Sequence, residues 1–322
     1  INFIITAEDP KGPWSKAYIL KDVPGIDPSL FFDDNGKVWY TGSHVPPDPE
    51  FDGQSEIWMQ ELDLKQMQLV GKKYYLTRGF SGGTWAEGPH IYKYENYYYL
   101  MIAEGGTLHN HAVTISASKT ITGPYIANAR NPILTHRHLS LNHPIIAVGH
   151  GDLVQTKENE WYMVALGFRP IDNKYKNLGR ETFLIPVVWE TEPYWWKDEK
   201  ITWPVCSPKT GKVEFEYSVP FPGTKQININ RFYDGFDHPE LNVEWNFRRT
   251  PTSSFHSLNE KIGSLRLYLK KGFISEQGQY SFVGIRQRHF QMEAKTKMEC
   301  NLSDEEEAGI TVIQNDRSAY VM

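Results

Sequence analysis

Three segments of the chain share one order of polar and apolar positions. Each opens on an ionisable residue, runs through a short apolar stretch to a polar turn residue nine positions on, and ends in an aromatic-rich stretch. The openers are Asp27, Glu87 and His150, and the matching turn residues are Gly36, Asn96 and Asn159. Two apolar runs joined by such a turn predict a β-hairpin, with a polar group where its first strand begins.

The openers lie 60 and 63 residues apart. A β unit repeating at this period predicts blades of a β-propeller, whose inner strands would bring the openers together on the central axis. We expect a further blade to begin near Leu178–Trp189. Residues 1–20 read as the outer half of a blade whose inner half is missing. The predicted fold class is therefore all-β, with a five-bladed propeller whose first blade is largely missing.

The pattern changes after about residue 215, where Pro220–Pro222 is typical of a linker. Alternating charged and apolar residues then predict strands of an antiparallel sheet with one solvated face. These predicted strands are Ser264–Leu269, Phe282–Arg288, Phe290–Met298 and Gly309–Gln314. We expect two partial domains, a propeller over residues 1–218 and a β-sandwich over residues 219–322.

Composition narrows the classes of function. The formal net charge is −5 and no run is rich in Lys or Arg, which argues against a nucleic-acid or anionic-membrane surface. No apolar run is long enough for a spanning helix. Aromatic residues make up 14% of the chain, which suits both sheet packing and sugar-binding clefts. The two cysteines, Cys206 and Cys300, are expected to be free buried thiols, and no cofactor requirement is indicated. The compartment and the oligomeric state are left open.

Asp27 and Glu87 are the leading candidates for acid–base chemistry. Asp27 precedes a proline at the start of an apolar run, a position that also suits a turn-capping aspartate. Glu87 follows Trp85 and Ala86, and a partly desolvated glutamate suits general-acid work. If the two positions are equivalent in neighbouring blades, their carboxylates would converge on the axis.

Further polar residues are expected around this pair. His150, at the third opener, could bond a substrate, a water or a calcium ion, or could be a satisfied core histidine. Arg180 opens the next strand and could pair with a carboxylate or donate to sugar hydroxyls. The run from Glu104 to Thr107 returns polar groups to the same region, with Glu104 expected to be structural. Trp85 and Thr107 complete the predicted substrate-binding set.

These motifs together resemble glycoside hydrolase family 43, and within it the β-xylosidases and α-L-arabinofuranosidases. The matching segments are Thr6–Ser15, Gly25–Phe31, Ala86–His90, Ala103–Thr107, Gly149–Leu153 and Leu178–Thr182. Residues 230–317 resemble the β-sandwich that follows the propeller in the xylosidase group. The chain does not begin with Met, and we expect it to be incomplete at both ends.

The resemblance implies an inverting hydrolase that releases xylose or arabinose from xylan-derived oligosaccharides. It implies that Glu87 is the general acid, that Asp27 modulates and orients it, and that His150 and Arg180 contact the sugar. The family's general base has no counterpart in this sequence, so the chain alone is expected to be inactive or nearly so. The alternatives are a non-catalytic carbohydrate-binding propeller and, less favoured by the motifs, a family 32-like fructosidase.

Overall fold

The computed structural model describes residues 1–193, 198–218, 231–274, 276, 278–315 and 318–321. Every regular element among them is a β-strand, so the predicted all-β class is confirmed. No helix in this described part is long and apolar enough to cross a membrane. The chain forms two compact units, Ile1–Ser218 and Val219–Met322.

The first unit opens with a short antiparallel pair, β1 (Asn2–Ile4) and β2 (Tyr18–Leu20). A four-stranded sheet follows, termed the first blade, in which consecutive strands pair. Its strands are β3 (Ile26–Phe32), β4 (Val38–His44), β5 (Glu56–Asp63) and β6 (Gln68–Thr77).

The second blade is built on β7 (Glu87–Tyr94), β8 (Tyr97–Glu104) and β9 (Ala112–Ser118). Two short strands, β10 (Ile126–Ala127) and β11 (Leu134–Thr135), both pair with β9. The third blade comprises β12 (Ile146–Gln155), β13 (Trp161–Phe168), β14 (Glu181–Thr191) and β15 (Thr202–Cys206). The prediction of a further blade near Leu178–Trp189 is wrong, because β14 pairs with β13 as the third strand of this sheet.

The predicted turns close the inner hairpins of all three blades. Gly36 and Asn159 adopt positive φ angles of 80° and 64°, which glycine and asparagine tolerate well. In the second blade the positive φ, 51°, falls on Glu95 and not on its neighbour Asn96. Turn composition thus located each hairpin, while the residue that takes the left-handed conformation differs by one in the second blade.

Two apolar layers separate the three blades, and β8 contributes to both. Successive strand residues point to opposite faces of a sheet. Accordingly Tyr99 and Met101 pack in the cluster that includes Met163 and Ile185 of the third blade. Leu100 and Ile102 pack with Trp39, Ile57 and Met59 of the first blade. Because β8 is buried on both faces, its sequence is apolar without interruption from Tyr97 to Ala103. The packing on its two faces holds in place the inner strands that carry the predicted site.

The second unit contains three short antiparallel pairs within its described residues. They are β16 (Asn246–Phe247) with β19 (Val283–Gly284), β17 (His256–Ser257) with β18 (Arg266–Leu267), and β20 (Thr311–Asn315) with β21 (Ser318–Val321). Three of the four predicted segments therefore contain a strand, but Phe290–Met298 does not. The predicted linker Pro220–Pro222 lies outside the described residues. Both cysteines are free, but only Cys206 is buried, since Cys300 is exposed.

Candidate active site

A β-bulge interrupts the inner hairpin of each blade beside a predicted site residue. The pairing register shifts between Ile26 and Ser29, between Glu87 and His90, and between Gly149 and Asp152. The first residue inside each bulge has a left-handed backbone, with φ of 52° at Asp27, 56° at Gly88 and 50° at His150. The structurally equivalent positions are therefore Asp27, Gly88 and His150. Glu87 lies one residue before the bulge, so its predicted equivalence with Asp27 was wrong by one position.

Asp27 is joined directly to the strand that carries Glu87. Its Oδ2 atom accepts a hydrogen bond of 3.1 Å from the backbone N–H of Gly88. A second hydrogen bond joins the same two strands, in which the Ser29 hydroxyl donates to the carbonyl of Pro89 at 2.6 Å. The Asp27 carboxylate is thus fixed to the peptide that follows Glu87, across the boundary between two blades.

Glu87 and His150 approach each other from the second and third blades. The His150 Nδ1 atom lies 3.8 Å from Glu87 Oε1, close enough for an ion pair when the imidazole is protonated. Their side chains are 26% and 19% exposed, respectively, so both are only partly hydrated. The Glu87 carboxylate, together with Asp27, raises the pKa of His150, while burial and the Arg180 charge oppose that shift.

Gly88 leaves the space that the His150 ring occupies. A Cβ atom on Gly88 would lie 2.7 Å from His150 Nε2 and 3.0 Å from its two ring carbons. No real side chain approaches that closely. The glycine of the second bulge is therefore the neighbour that allows the histidine of the third bulge to reach Glu87.

His111 lies behind this pair, and sequence reasoning did not select it. Its side chain is fully buried, its Nδ1 atom bonds the Ala147 carbonyl at 3.0 Å, and its ring centre lies 6.5 Å from that of His150. Burial lowers the pKa of His111, which the Ala147 carbonyl partly offsets. Its Nε2 atom has no hydrogen-bond partner among the described residues. The sequence signal available was a histidine directly before an uncharged strand, Ala112–Ser118.

Glu87, His111 and His150 form the one group in the described chain whose donor atoms could share a metal ion. One donor atom from each lies within 4.8 Å of the others. Two imidazoles and one carboxylate suit zinc and similar transition metals, whereas calcium prefers a shell of oxygen atoms. The donor set thus fits a nitrogen-binding metal better than calcium, which was one of the possibilities considered for His150.

Trp85 and the carbonyl of Ala86 fix the entry to the β7 strand. Ala86 is fully buried, and its carbonyl accepts hydrogen bonds from the hydroxyls of Ser43 and Ser55 at 2.6 and 2.7 Å. Trp85 has a φ of 52°, donates its N–H to the Gly53 carbonyl at 2.7 Å, and leaves 44% of its surface exposed. An exposed indole next to Glu87 is placed where a sugar ring could stack.

The remaining predicted site residues, Arg180 and Thr107, are exposed. Arg180 is exposed, and its charge lowers the pKa of both His150 and His111, which places it within electrostatic reach of them. Among the described residues it forms no ion pair with Asp27 or Glu87, contrary to one expectation. Thr107 is exposed and follows Gly106, whose backbone packs against the Trp85 ring.

A second polar layer on the inner strands was also missed by sequence reasoning. Tyr92 donates its hydroxyl to Asp152, and the Leu153 N–H donates to the Tyr92 oxygen at 2.8 Å. His90 Nδ1 lies 3.8 Å from Asp152 Oδ1, and burial lowers the pKa of His90. These residues bind the second and third blades together next to the Asp27, Glu87 and His150 group.

Two family models match this chain. The family model described as glycosyl hydrolases family 43 matches residues 1–193. A second model, described as the beta xylosidase C-terminal concanavalin A-like domain, matches residues 233–322. The predicted order of a propeller followed by a sandwich domain is confirmed by these matches and by the solved structures described next.

Three known proteins resemble the chain over most of its length. A xylosidase/arabinosidase from Butyrivibrio fibrisolvens is 40% identical, over 98% of this chain and 60% of that protein. A non-reducing end alpha-L-arabinofuranosidase from Bacteroides ovatus is 36% identical, over 99% of this chain and 56% of that protein. The crystal structure of a xylan beta-1,4-xylosidase from Bacillus halodurans superposes with a TM-score of 0.78 at 34% identity. It covers 89% of this chain and 53% of that one, so the chain spans little more than half the length of these relatives.

Proposed function

Because the chain belongs to glycoside hydrolase family 43, we propose that it forms part of an exo-acting glycosidase that removes xylose or arabinose from xylan-derived oligosaccharides. The observation that carries this proposal is the meeting of Asp27, Glu87 and His150 at three bulges of neighbouring blades. Relatives named as xylosidases and arabinofuranosidases support a pentose as the group released.

Glu87 is the proposed general acid, which protonates the glycosidic oxygen as the bond to the leaving group breaks. Its partial burial and its place beside the exposed Trp85 suit this role, because a bound sugar would exclude the remaining water. Asp27 is proposed to modulate and orient this acid, since its carboxylate accepts a hydrogen bond from the backbone N–H that follows Glu87. The negative charge of Asp27 also disfavours loss of the proton from a neighbouring acid.

His150 and Arg180 are the proposed sugar contacts, with Trp85 and Thr107 on the rim. The His150 side chain is 26% exposed, so its ring can contact a bound sugar while its Nδ1 atom faces Glu87. An exposed guanidinium offers several donors to adjacent hydroxyls. We propose that the reaction needs no resident cofactor, because acid, orienter and sugar contacts are all side chains.

We further propose that hydrolysis proceeds with inversion in a single displacement. Inversion needs a carboxylate base that activates water on the face of the sugar opposite the acid. None of the motifs in this chain corresponds to that base, and we propose that these 322 residues do not contain it. The expected outcome for the whole protein on an aryl pentoside is a first-formed sugar of inverted anomeric configuration, read by proton NMR. A first product of retained configuration contradicts the inversion.

The role of Glu87 is tested by Glu87→Gln with two substrates of one sugar. A nitrophenyl glycoside has a good leaving group and needs little protonation, whereas xylobiose needs it fully. We expect kcat on xylobiose to fall by about 10²-fold or more, with a much smaller fall on the aryl glycoside. The matched control is Glu190→Gln, a half-exposed glutamate that pairs with Arg130.

Equal losses of activity on the two substrates would rule out the acid role of Glu87. A parent protein that binds xylo-oligosaccharides in calorimetry but hydrolyses neither substrate would instead be the carbohydrate-binding propeller of the alternative hypothesis.

A further inference from the structure

Glu104 is a buried carboxylate that the proposed reaction does not use. It is the last residue of β8 and is only 2% exposed. Among the described residues, no lysine, arginine or histidine forms an ion pair with it. Its neighbours are hydrogen-bond donors only: the N–H of Phe80 at 2.5 Å, the N–H of Ser81 at 2.9 Å, and the Thr114 hydroxyl at 2.7 Å.

A buried charge without a cation is costly unless several donors replace its lost water. The donors here come from two sources. Thr114 belongs to β9 of the same blade, whereas Phe80 and Ser81 belong to the segment that joins the first blade to the second. The Glu104 carboxylate therefore fastens a loop from outside its own sheet onto the end of β8.

That loop, residues 78–85 and termed here the entry loop, leads directly into the proposed acid. Its last residue is Trp85, and Glu87 follows two positions later. Glu87 pairs with Ala103, the residue immediately before Glu104. The next residue, Gly105, donates its N–H to the Thr84 carbonyl at 2.8 Å. The end of β8 thus contacts the entry loop at two places, Phe80–Ser81 and Thr84, and pairs with Glu87 as well.

The entry loop also fits closely around the carboxylate. Gly79 has a φ of 126°, and a Cβ atom there would lie 2.6 Å from Gly83 Cα and 3.2 Å from Glu104 Oε2. A side chain at residue 79 would therefore push the loop away from Glu104. Gly79 provides a second, independent place at which the anchoring can be disturbed.

We propose that Glu104 is a positioning residue for the general acid. By holding the N–H groups of Phe80 and Ser81, it sets the path of the entry loop and, through it, the placement of Trp85 and Glu87 against the bound sugar. This inference rests on the proposed function. It changes the expected role of Glu104, which the sequence placed among structural residues.

The test is Glu104→Gln in the protein that carries this chain, with kcat and KM measured on xylobiose and on a nitrophenyl pentoside. The amide retains one acceptor oxygen but turns an N–H₂ group toward the Ser81 N–H, so the loop must shift. Because small misplacements of a catalytic group cost up to about 10²-fold, we expect kcat on xylobiose to fall by roughly tenfold or more. The fall on the aryl substrate should be clearly smaller, since that reaction needs less protonation.

Thr114→Val is the matched control, because it removes a donor to the same carboxylate but leaves both entry-loop bonds in place. It should keep the ratio of the two kcat values of the parent protein. Gly79→Ala should reproduce the substrate-dependent loss of Glu104→Gln, and it replaces that variant if Glu104→Gln does not fold. Amide hydrogen exchange at Phe80 and Ser81 should be faster in Glu104→Gln than in Thr114→Val.

A purely structural role predicts a different result. Glu104→Gln and Gly79→Ala would then lower the unfolding temperature, while kcat per folded molecule would change equally on both substrates or not at all. That outcome overturns the proposal. If the parent protein hydrolyses neither substrate, the proposed function fails instead, and unchanged exchange at Phe80 and Ser81 in Glu104→Gln overturns the anchoring separately.

Discussion

The backbone N–H of Gly88 donates a 3.1 Å hydrogen bond to the Asp27 carboxylate, and so connects the inner strands of two blades beside Glu87. The bond gives Asp27 two effects on the site. Its geometry restrains the peptide that follows the proposed acid, and its charge acts on the neighbouring imidazole of His150.

Asp27→Asn should separate these two effects. The amide oxygen can still accept from Gly88, but the charge that helps to raise the pKa of His150 is lost, so that pKa should move down. Histidine proton chemical shifts followed against pH measure this directly. We expect kcat on xylobiose to fall by about 10²-fold, because the acid loses its charged neighbour. Asp34→Asn, an exposed aspartate paired with Lys93, is the control, and an unmoved His150 titration in Asp27→Asn would contradict the assignment.

Gly88→Ala should damage the site through one methyl group. The added Cβ would lie 2.7 Å from His150 Nε2, so the ring must move away from Glu87. Gly36→Ala is a matched control, because Gly36 has a φ of 80° and no atom within 4 Å of the added Cβ. Both variants should lose about 1–2 kcal/mol of unfolding free energy from the left-handed backbone. Only Gly88→Ala should raise KM for the pentoside, and equal kinetics in the two variants would contradict the contact.

His136 should make the first unit less stable in mild acid. Burial lowers its pKa to about 4, a shift that the hydrogen bond from Nδ1–H to the Ile145 carbonyl partly offsets. The neutral ring also accepts the Val213 N–H on Nε2. The unfolded histidine, with a pKa near 6.5, binds the proton more readily, so the stabilisation present above about pH 6.5 is lost as pH falls toward 4. The neighbouring His143, His138 and Lys212 charges lower the pKa in the same direction.

Urea unfolding at several pH values checks this prediction. The loss attributable to His136 should approach about 3 kcal/mol between pH 6.5 and 4. His136→Gln should flatten the pH dependence over that interval, since glutamine carries no titrating proton. His109→Gln alters an exposed histidine that does not act on His136 and should leave the slope unchanged. A slope that is the same in both variants would refute the role of His136.

Removing metal ions should leave the activity nearly unchanged, whereas adding Zn²⁺ should lower it. Because the proposed acid and sugar contacts are side chains, EDTA should leave kcat/KM within about twofold of its starting value. Added Zn²⁺ should inhibit, since Glu87, His111 and His150 can share one ion and Glu87 would then be unable to donate a proton. His111→Asn should weaken that inhibition, whereas His143→Asn, outside the group, should not. Activity that EDTA abolishes and calcium restores would contradict the cofactor-free proposal.

The hairpins of the three blades could be predicted from sequence because each couples a strong turn signal to two apolar runs. Gly36 and Asn159 take the left-handed turn conformations that their positions indicate. The one-residue offset of Glu87 was not predictable in this way, because a bulge changes the pairing register without changing the apolar pattern. A period of 60 or 63 residues contains no information about that single residue.

Two other misses have different physical causes. The segment Leu178–Trp189 begins with the same polar-to-apolar change as the inner strands, yet β14 pairs with β13 as the next strand of the same sheet, and the pattern does not show which neighbour a strand will pair with. Phe290–Met298 alternates charged and apolar residues as a strand does. Such a pattern indicates only that a strand would have one polar and one apolar face, and it does not show that a neighbouring strand is present to form the hydrogen bonds. His111 was missed because its partner, His150, lies 39 positions away in sequence and adjacent only in the folded protein.

The equivalent backbone position in the three bulges is held by three different residues, an aspartate, a glycine and a histidine, with nearly the same φ. The hairpins therefore have the same local backbone shape whether this position carries a carboxylate, an imidazole or no side chain. Architecture and reactivity are therefore separable here, and a scaffold of this kind can acquire new chemistry through single exchanges at residues 27 and 150 without rebuilding a strand, whereas residue 88 must remain glycine while the His150 ring lies against it.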